Sequence, residues 1–142
     1  MTERAGVIIL GSNSTRMLAA DIPGLTRPVR GRVETRLFLG MDERQNMADD
    51  AIRRAAQSAG QLCSQAREEG AQRIFVLATS AARDARNTAD LARAVQEACG
   101  CAPWILSGQM EARYAYLGAA SAVPGDVGVI DIGGGSTEVV WG

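Results

Sequence analysis

The apolar positions of this chain alternate between short extended runs and stripes with helical spacing. Apolar or alternating runs are typical of strands, and they predict strands over residues 5–10, 16–20, 28–39, 73–79, 103–106, 127–132 and 138–141. Apolar residues that recur at steps of three and four predict helices over residues 46–69, 88–99 and 109–119. This interleaving of strands and helices predicts an α/β fold.

A strand–loop–strand unit near residue 133 carries the strongest chemical signal. Asp131 lies at the end of its first strand, Glu138 begins its second strand, and the loop between them contains Gly133, Gly134, Gly135, Ser136 and Thr137. Consecutive glycines allow positive φ and leave no side chain between the backbone and a ligand, so their N–H groups can converge on an anion. A plain hairpin turn is the alternative. It needs only one or two glycines, so three favour a phosphate-binding loop.

The two carboxylates beside this loop predict a bound cation. Asp131 and Glu138 would repel a phosphate held by the loop unless a cation lay between them and the ligand. Mg²⁺ is commonly held by one or two carboxylates together with phosphate oxygens and water. The sequence therefore predicts a magnesium site at Asp131 and Glu138.

A second small, hydroxyl-rich loop follows the first predicted strand. It consists of Gly11, Ser12, Asn13 and Ser14, and another apolar strand follows it. Taken alone, this segment fits a hairpin with polar turn residues as well as it fits a ligand site. Because the strand–loop–strand pattern occurs twice, we interpret the two loops as halves of one phosphate clamp.

Two other segments supply candidates, each with a structural alternative. Residues 79–87 form a polar segment at the C-terminal end of a strand, where open α/β sheets place ligands. Arg83 in this segment could equally be a solvated surface arginine, and we expect Asn87 to cap the second helix. Glu111 lies in the first turn of the third helix, where the helix dipole favours a carboxylate. The alternative is that Glu111 points into the clamp.

Composition narrows the possible chemistry. The 142 residues suffice for one domain with a substantial core, and 46% hydrophobic with 22% charged residues is ordinary for a soluble globular protein. All fifteen basic residues are arginine and there is no histidine. This excludes a Walker lysine, a Ser-His-Asp hydrolase and a His-ligated zinc site. A net charge of −1 gives no electrostatic signal for nucleic acid or an anionic membrane.

The cysteines and the first residues bear on the cellular compartment. The chain has an odd number of cysteines, namely Cys63, Cys99 and Cys101. No two of them form a Cys-x-x-Cys pair. We therefore expect neither a disulfide framework nor a four-thiolate zinc site. The first apolar run ends at Gly11 and is too short for a signal peptide or a membrane span. A cytoplasmic location is the resulting expectation.

The order of the predicted elements is three strands, helix, strand, helix, strand, helix and then a hairpin. It resembles one ribonuclease-H-like lobe of the actin, Hsp70 and sugar-kinase superfold, a mixed five-stranded sheet with flanking helices. The resemblance implies that residues 1–125 form this lobe and that residues 126–142 form the first hairpin of a second, truncated lobe. The remainder of that C-terminal lobe would be missing, and the unpaired edge of the hairpin would favour a homodimer.

Four segments allow a narrower comparison. They are GSNSTR at residues 11–16, ATSAARDARN at 78–87, ILSGQMEARYAYLG at 105–118 and DIGGGSTEVVWG at 131–142. In this order they resemble the four hallmark segments of the exopolyphosphatase/guanosine pentaphosphate phosphohydrolase (Ppx/GppA) family. The resemblance implies removal of a terminal phosphate from inorganic polyphosphate or from guanosine pentaphosphate.

The same resemblance implies roles for individual residues. Glu111 matches the family's catalytic base, which would orient and deprotonate a water for in-line attack. Asp131 and Glu138 match the residues that would hold Mg²⁺ directly or through water. Arg83 matches an arginine that would pair with phosphate charge. The two glycine loops would bind phosphate oxygens.

One departure from the family pattern bears on activity. The family usually has an aspartate two residues before the first glycine, where this chain has Ile9. A carboxylate that helps to hold metal is therefore replaced by a hydrocarbon. This favours an alternative hypothesis, a weakly active or inactive protein that senses polyphosphate or guanosine nucleotides. An actin-like ATPase or sugar kinase is a third hypothesis, against which the Ser-Gly-x-x-Glu-Ala segment argues.

Overall fold

The alternation of buried and exposed residues along the first three strands already shows a sheet with one covered face. The computed structural model describes residues 2–142. Its elements are β1 (Glu3–Leu10), β2 (Ser14–Ile22), β3 (Thr26–Glu34), α1 (Asp49–Glu68), β4 (Arg73–Ala78), α2 (Ser80–Asp84), α3 (Thr88–Cys99), β5 (Trp104–Ile105), α4 (Gly108–Ala120), β6 (Gly128–Ile132) and β7 (Thr137–Trp141). Their order confirms the predicted α/β organisation.

Five strands form one mixed sheet in the order β3-β2-β1-β4-β5. The strand pairs β1–β2 and β2–β3 are antiparallel, whereas β1–β4 and β4–β5 are parallel. Strands β6 and β7 form a separate antiparallel pair. The predicted mixed five-stranded sheet with flanking helices is therefore confirmed. The predicted division into residues 1–125 and 126–142 stays a prediction.

The core lies between one face of the five-stranded sheet and α1, and α3 packs against α1 with its buried side chains in the same core. Gly31 of β3 shows how closely the helix approaches, because a Cβ there would lie 2.8 Å from Cδ2 of Leu62. The fully buried large side chains are Ile8, Leu10, Leu37, Val76, Leu91 and Val95. This packing makes the five-stranded sheet with α1 and α3 the rigid support on which the loops at its edge are held.

The opposite face of the sheet is covered much less. On it, Ile9 is 38% exposed, Phe75 is 42% exposed and Trp104 is 68% exposed. Helix α4 contacts β6 and β7, and each of its residues keeps part of its surface exposed.

Within residues 2–142, no helix combines the length and the apolar composition needed to cross a bilayer.

An ion-pair network around the buried Asp21 carboxylate ties the start of β1 to the end of β2. The Asp21 carboxylate accepts from Arg27 Nε at 2.6 Å and from Arg4 Nη1 at 3.0 Å. The hydrogen bond from Arg27 and the second one from Arg4 outweigh burial and lower the pKa of Asp21 from 3.8 to about 2. Arg4 also donates to the Glu69 carbonyl at 2.7 Å, which fastens the end of α1 to this network.

Strand β3 is shorter than predicted. It ends at Glu34 because the next two N–H groups, of Thr35 and Arg36, both donate to the Asn13 carbonyl at 3.0 and 2.8 Å. Arg36 then takes a left-handed backbone conformation with φ of 47°, which is incompatible with an extended strand. The chain is thereby tied to the loop after β1.

The predicted capping role of Asn87 is wrong. Its side chain makes no cap hydrogen bond to α3. Instead Nδ2 donates to the Met47 carbonyl at 2.9 Å, and Oδ1 accepts from the Met47 N–H at 2.8 Å. Asn87 therefore fastens the segment before α1 to the start of α3.

The sequence predicted only a polar segment over residues 79–87. In the structure, residues 80–84 of this segment form the short helix α2.

Candidate active site

Two hairpin loops with the same turn face each other at the edge of the five-stranded sheet. Loop A, residues 11–13, joins β1 to β2, and loop B, residues 133–136, joins β6 to β7. In loop A the Gly11 N–H donates to the Ser14 carbonyl at 3.0 Å, and in loop B the Gly133 N–H donates to the Ser136 carbonyl at 2.9 Å. The sequence repetition therefore corresponds to a repeated turn geometry.

The glycines of loop B permit close contact with loop A. A Cβ on Gly134 would lie 2.5 Å from Cγ of Asn13, and a Cβ on Gly135 would lie 2.5 Å from Oγ of Ser12. Real Cβ atoms do not approach other atoms that closely. The predicted use of positive φ is wrong, because Gly133, Gly134 and Gly135 are all outside the left-handed region. Glycine at Gly135 avoids a clash with two buried serine hydroxyls, whereas a Cβ on Gly134 would meet only the end of the exposed Asn13 side chain.

The loops enclose a pocket of about 390 Å³. It is lined by Ile9, Gly11, Ser12, Asn13, Ser14, Arg16, Arg32, Thr79, Ser80, Glu111, Asp131, Ile132, Gly133, Gly134 and Ser136. Hydroxyl, amide and backbone N–H donors from three separate segments thus line the same space as two carboxylates. Such a set of donors suits an anionic ligand, and the carboxylates suit a water molecule or a cation.

Asp131 and Glu138 are directly opposite each other in the β6–β7 register. Side chains at directly opposed positions share one face, and two like charges there are destabilising unless something compensates them. Glu138 is only 8% exposed and accepts a hydrogen bond from Ser136 Oγ at 2.7 Å, whereas Asp131 lines the pocket. The atoms that Asp131 and Glu138 could offer to a metal are all oxygens, which Mg²⁺ prefers as ligands.

Protein side chains alone do not complete a metal shell here. Within residues 2–142, no three His, Cys, Asp or Glu side chains are grouped so that they could hold a metal ion. Mg²⁺ usually keeps several waters and takes one or two carboxylates plus substrate phosphates. Asp131 and Glu138 therefore fit a magnesium ion that arrives with a phosphate ligand, and they do not form a complete protein cage.

Glu111 is held at the pocket by the start of α4 and by Arg83. Ser107 caps the helix, its Oγ accepting from the Met110 N–H at 3.1 Å. Arg83 Nη1 donates to Glu111 Oε2 at 2.9 Å and to the Leu106 carbonyl at 2.8 Å. The Glu111 side chain is 15% exposed. One carboxylate oxygen is thus fixed by Arg83 while the side chain still lines the pocket.

Four of the residues predicted for the site lie outside the pocket lining. Arg83 lies behind Glu111 and is engaged with it, so a contact with phosphate would require this ion pair to change. Gly135 packs against Ser12 and Ser80, since a Cβ on it would lie 2.5 Å from Ser12 Oγ and 2.6 Å from Ser80 Oγ. Thr137 is the first residue of β7, and Glu138 follows it as a buried carboxylate. The remaining predicted residues line the pocket together.

Four polar pocket residues, Thr79, Ser80, Arg16 and Arg32, were not among the predicted site residues. Thr79 and Ser80 belong to the polar segment 79–87, which the sequence analysis placed at the C-terminal end of a strand, where ligands bind. Ser80 Oγ lies 2.9 Å from Ser12 Oγ, and both serines are buried. Arg16 and Arg32 could have been found from the period-two alternation of the second and third strands, which places both on one face once the strands pair.

Comparison with known proteins gives consistent findings. Residues 19–142 match the Ppx/GppA phosphatase family. The structure of the Ppx-GppA enzyme of Aquifex aeolicus has a TM-score of 0.86 and 30% identity, and the match covers 100% of this chain and 49% of that one. An exopolyphosphatase from Cytophaga hutchinsonii has a TM-score of 0.89 and 27% identity, with 99% and 46% covered. This chain thus spans about half the length of these proteins.

A more distant structure shares the fold alone. The ethanolamine utilization protein EutJ from Carboxydothermus hydrogenoformans has a TM-score of 0.55 and 15% identity, and the match covers 96% of this chain and 49% of that one. The five-stranded lobe is accordingly the ribonuclease-H-like lobe of the actin-like superfold, as the order of elements predicted.

Proposed function

Because this chain belongs to the Ppx/GppA phosphatase family, we propose that its site hydrolyses a terminal phosphoanhydride bond of inorganic polyphosphate or guanosine pentaphosphate. The observation that carries the proposal is the pocket itself. Two matched hairpin loops, the Glu111 carboxylate fixed by an arginine, and Asp131 meet around a pocket of about 390 Å³, and the buried Glu138 lies opposite Asp131. The substrate class comes from the family, and the arrangement of donors and carboxylates supports it.

Glu111 is the proposed general base. Arg83 engages Oε2, so Oε1 is the oxygen that would accept a proton from an attacking water. As the water oxygen bonds to the terminal phosphorus, the bridging P–O bond breaks and the shortened chain leaves as an anion. The proton then returns to solvent from Glu111. General base catalysis of this kind contributes roughly 10²–10⁴-fold to the rate.

The two loops are the proposed phosphate cradle. Ser12 and Ser14 supply hydroxyl groups around the pocket, and Gly133 and Gly134 leave their backbone open to a ligand. The Ser136 hydroxyl donates to Glu138 and would have to turn to reach a phosphate. In-line phosphoryl transfer depends mainly on positioning and on stabilising charge at the phosphate oxygens. Asp131 and Glu138 would hold Mg²⁺, which would neutralise phosphate charge when bound.

One observation favours the second candidate, a binding protein that senses these ligands without hydrolysing them. Ile9 lines the pocket, where its hydrocarbon side chain cannot ligate a metal. A weakened magnesium site would leave the phosphate cradle intact while slowing hydrolysis.

The experiment that tests the proposal is phosphate release with Mg²⁺ from long-chain polyphosphate and from guanosine pentaphosphate. It uses the native protein that carries this chain, beside a Glu111→Gln variant. Glu97→Gln is the matched control, because Glu97 is an exposed carboxylate on α3. We expect release that is lost in Glu111→Gln and retained in Glu97→Gln. Binding of either ligand without release by the unaltered protein would overturn the hydrolase proposal in favour of the sensor.

A further inference from the structure

Three arginines lie together on the less covered face of the five-stranded sheet. Arg16 of β2 is directly opposite Arg32 of β3, and Arg30 is two residues before Arg32 on the same strand. Successive side chains of a strand alternate between faces, so Arg30 and Arg32 share the face on which Arg16 lies. We call these three residues the arginine track.

The positive charge of the arginine track is not neutralised by the protein. Within residues 2–142, no carboxylate oxygen lies within 4.0 Å of a guanidinium nitrogen of the track. Glu34, the next residue of β3 on this face, is 4.0 Å from Arg36. Like charges directly opposite each other on two strands are destabilising. The chain as a whole carries a net charge of −1, so a general excess of positive charge does not explain the track.

The arginine track is continuous with the candidate active site. Arg16 and Arg32 line the pocket between the two loops. All three arginines also line an adjoining groove of about 770 Å³, whose other wall includes Ile9 and Tyr114. The groove therefore leads from the phosphate cradle across β2 and β3.

We propose that the arginine track binds the inner phosphates of a linear polyphosphate whose terminal phosphate occupies the pocket. This inference rests on the proposed function. Residues two apart on a strand are about 6.6–6.8 Å apart, so Arg32 and Arg30 would contact phosphates progressively farther from the cleaved bond. Planar guanidinium groups bind phosphate oxygens through paired N–H donors.

The arrangement favours polyphosphate over other polyanions. Single-stranded nucleic acids are bound where aromatic side chains alternate with basic ones, so that bases stack. Here one aromatic residue, Tyr114, lines the groove, on the wall opposite the track. Phe75 and Trp104 lie on β4 and β5, and strand β1 separates them from the track. Guanosine pentaphosphate carries its phosphates in two short groups separated by a ribose, so it does not present one continuous row of phosphates to the three arginines. A long, uniformly charged chain fits the whole track.

The test is binding of polyphosphates of different length, measured by calorimetry with Mg²⁺ present. The track variant is Arg30→Gln, because Arg30 lines the groove and not the pocket, and the charge-matched control is Arg53→Gln, on the helix that covers the other face. We expect the track variant to lose at least about fivefold in affinity for long-chain polyphosphate and less than about twofold for pyrophosphate. The slope of log affinity against log salt should fall by about 0.7 for each arginine removed.

Several outcomes would overturn the proposal. They are unchanged affinity for the long chain, an equal loss in the control variant, and an equal loss for pyrophosphate. A greater loss for a single-stranded oligonucleotide, or for guanosine pentaphosphate, than for polyphosphate would assign the track to that ligand instead. Because the readout is binding, it is separate from turnover. A length-dependent loss without hydrolysis would support the track and refute the hydrolase, and hydrolysis without such a loss would refute the track alone.

Discussion

A substitution at Gly135 tests whether the contact between loops A and B creates the phosphate site. A Cβ at this position would lie 2.5 Å from Ser12 Oγ and 2.6 Å from Ser80 Oγ. Both serines are buried, and their hydroxyl oxygens are 2.9 Å apart in a hydrogen bond. Neither hydroxyl can therefore move aside without breaking that bond. The change Gly135→Ala should force the two loops apart.

The expected magnitude follows from these contacts. Adding a methyl group to a tightly packed place costs about 1–3 kcal/mol, and losing a hydrogen bond such as that of Ser12 with Ser80 costs about 0.5–1.5 kcal/mol. If the loops part to relieve this strain, ligand binding has to bring them together again at the same cost. Because about 1.4 kcal/mol corresponds to a tenfold change in affinity, we expect Gly135→Ala to weaken pyrophosphate binding by at least about tenfold.

Gly108 at the start of α4 provides the matched control. A Cβ on Gly108 would have no packed neighbour within 4 Å, and Gly108 does not line the pocket. Gly108→Ala adds the same methyl group in open space, and we expect an affinity change of less than about twofold. Calorimetric titration with pyrophosphate and Mg²⁺ measures both variants. Equal losses in the two variants, or no loss in Gly135→Ala, would refute loop contact as the reason for glycine here.

Three further outcomes are expected. Ile9→Asp should raise Mg²⁺ affinity and Mg²⁺-dependent phosphate release, since it adds a carboxylate to the pocket lining; no change would show that this position does not limit activity. The pKa of Asp21 is lowered to about 2, so unfolding takes up a proton between pH 4 and pH 2. The stability that Asp21 contributes should be complete above pH 4 and fall with pH through this window, whereas Asp21→Asn should lack the step in acid unfolding curves. Gly31→Ala should destabilise the fold by about 1–3 kcal/mol in urea unfolding, because its Cβ would meet Leu62; wild-type stability would contradict the packing described.

Much of the fold could be predicted because the relevant signals are local. The apolar run of β1 and the helical spacing of α3 each identify an element without knowledge of the rest of the chain. The end of β3 could not be predicted, because it depends on the Asn13 carbonyl, which lies in another loop. Asn87 is a comparable case, since its partner Met47 is 40 residues away.

In the candidate site, too, local features could be predicted from the sequence and tertiary contacts could not. The three glycines of loop B are visible in the sequence, but the reason for two of them is not. Gly134 and Gly135 contact loop A, which lies at the other end of the chain. Likewise, Arg83 was recognisable as a candidate, whereas its ion pair with Glu111 depends on how α4 packs beside α2. Local patterns therefore locate loops and candidate residues, and tertiary contacts decide which of them face the ligand.

The central claim is that Glu111 removes the proton from the attacking water. Its most direct test is single-turnover phosphate release from polyphosphate by the native protein carrying this chain, compared between Glu111→Gln and Glu97→Gln. We expect the rate of release to fall by about 10²–10⁴-fold in Glu111→Gln, with polyphosphate affinity within about threefold of wild type and Glu97→Gln unchanged. A fall of less than tenfold, or an equal fall in Glu97→Gln, would contradict the assignment of Glu111 as the base.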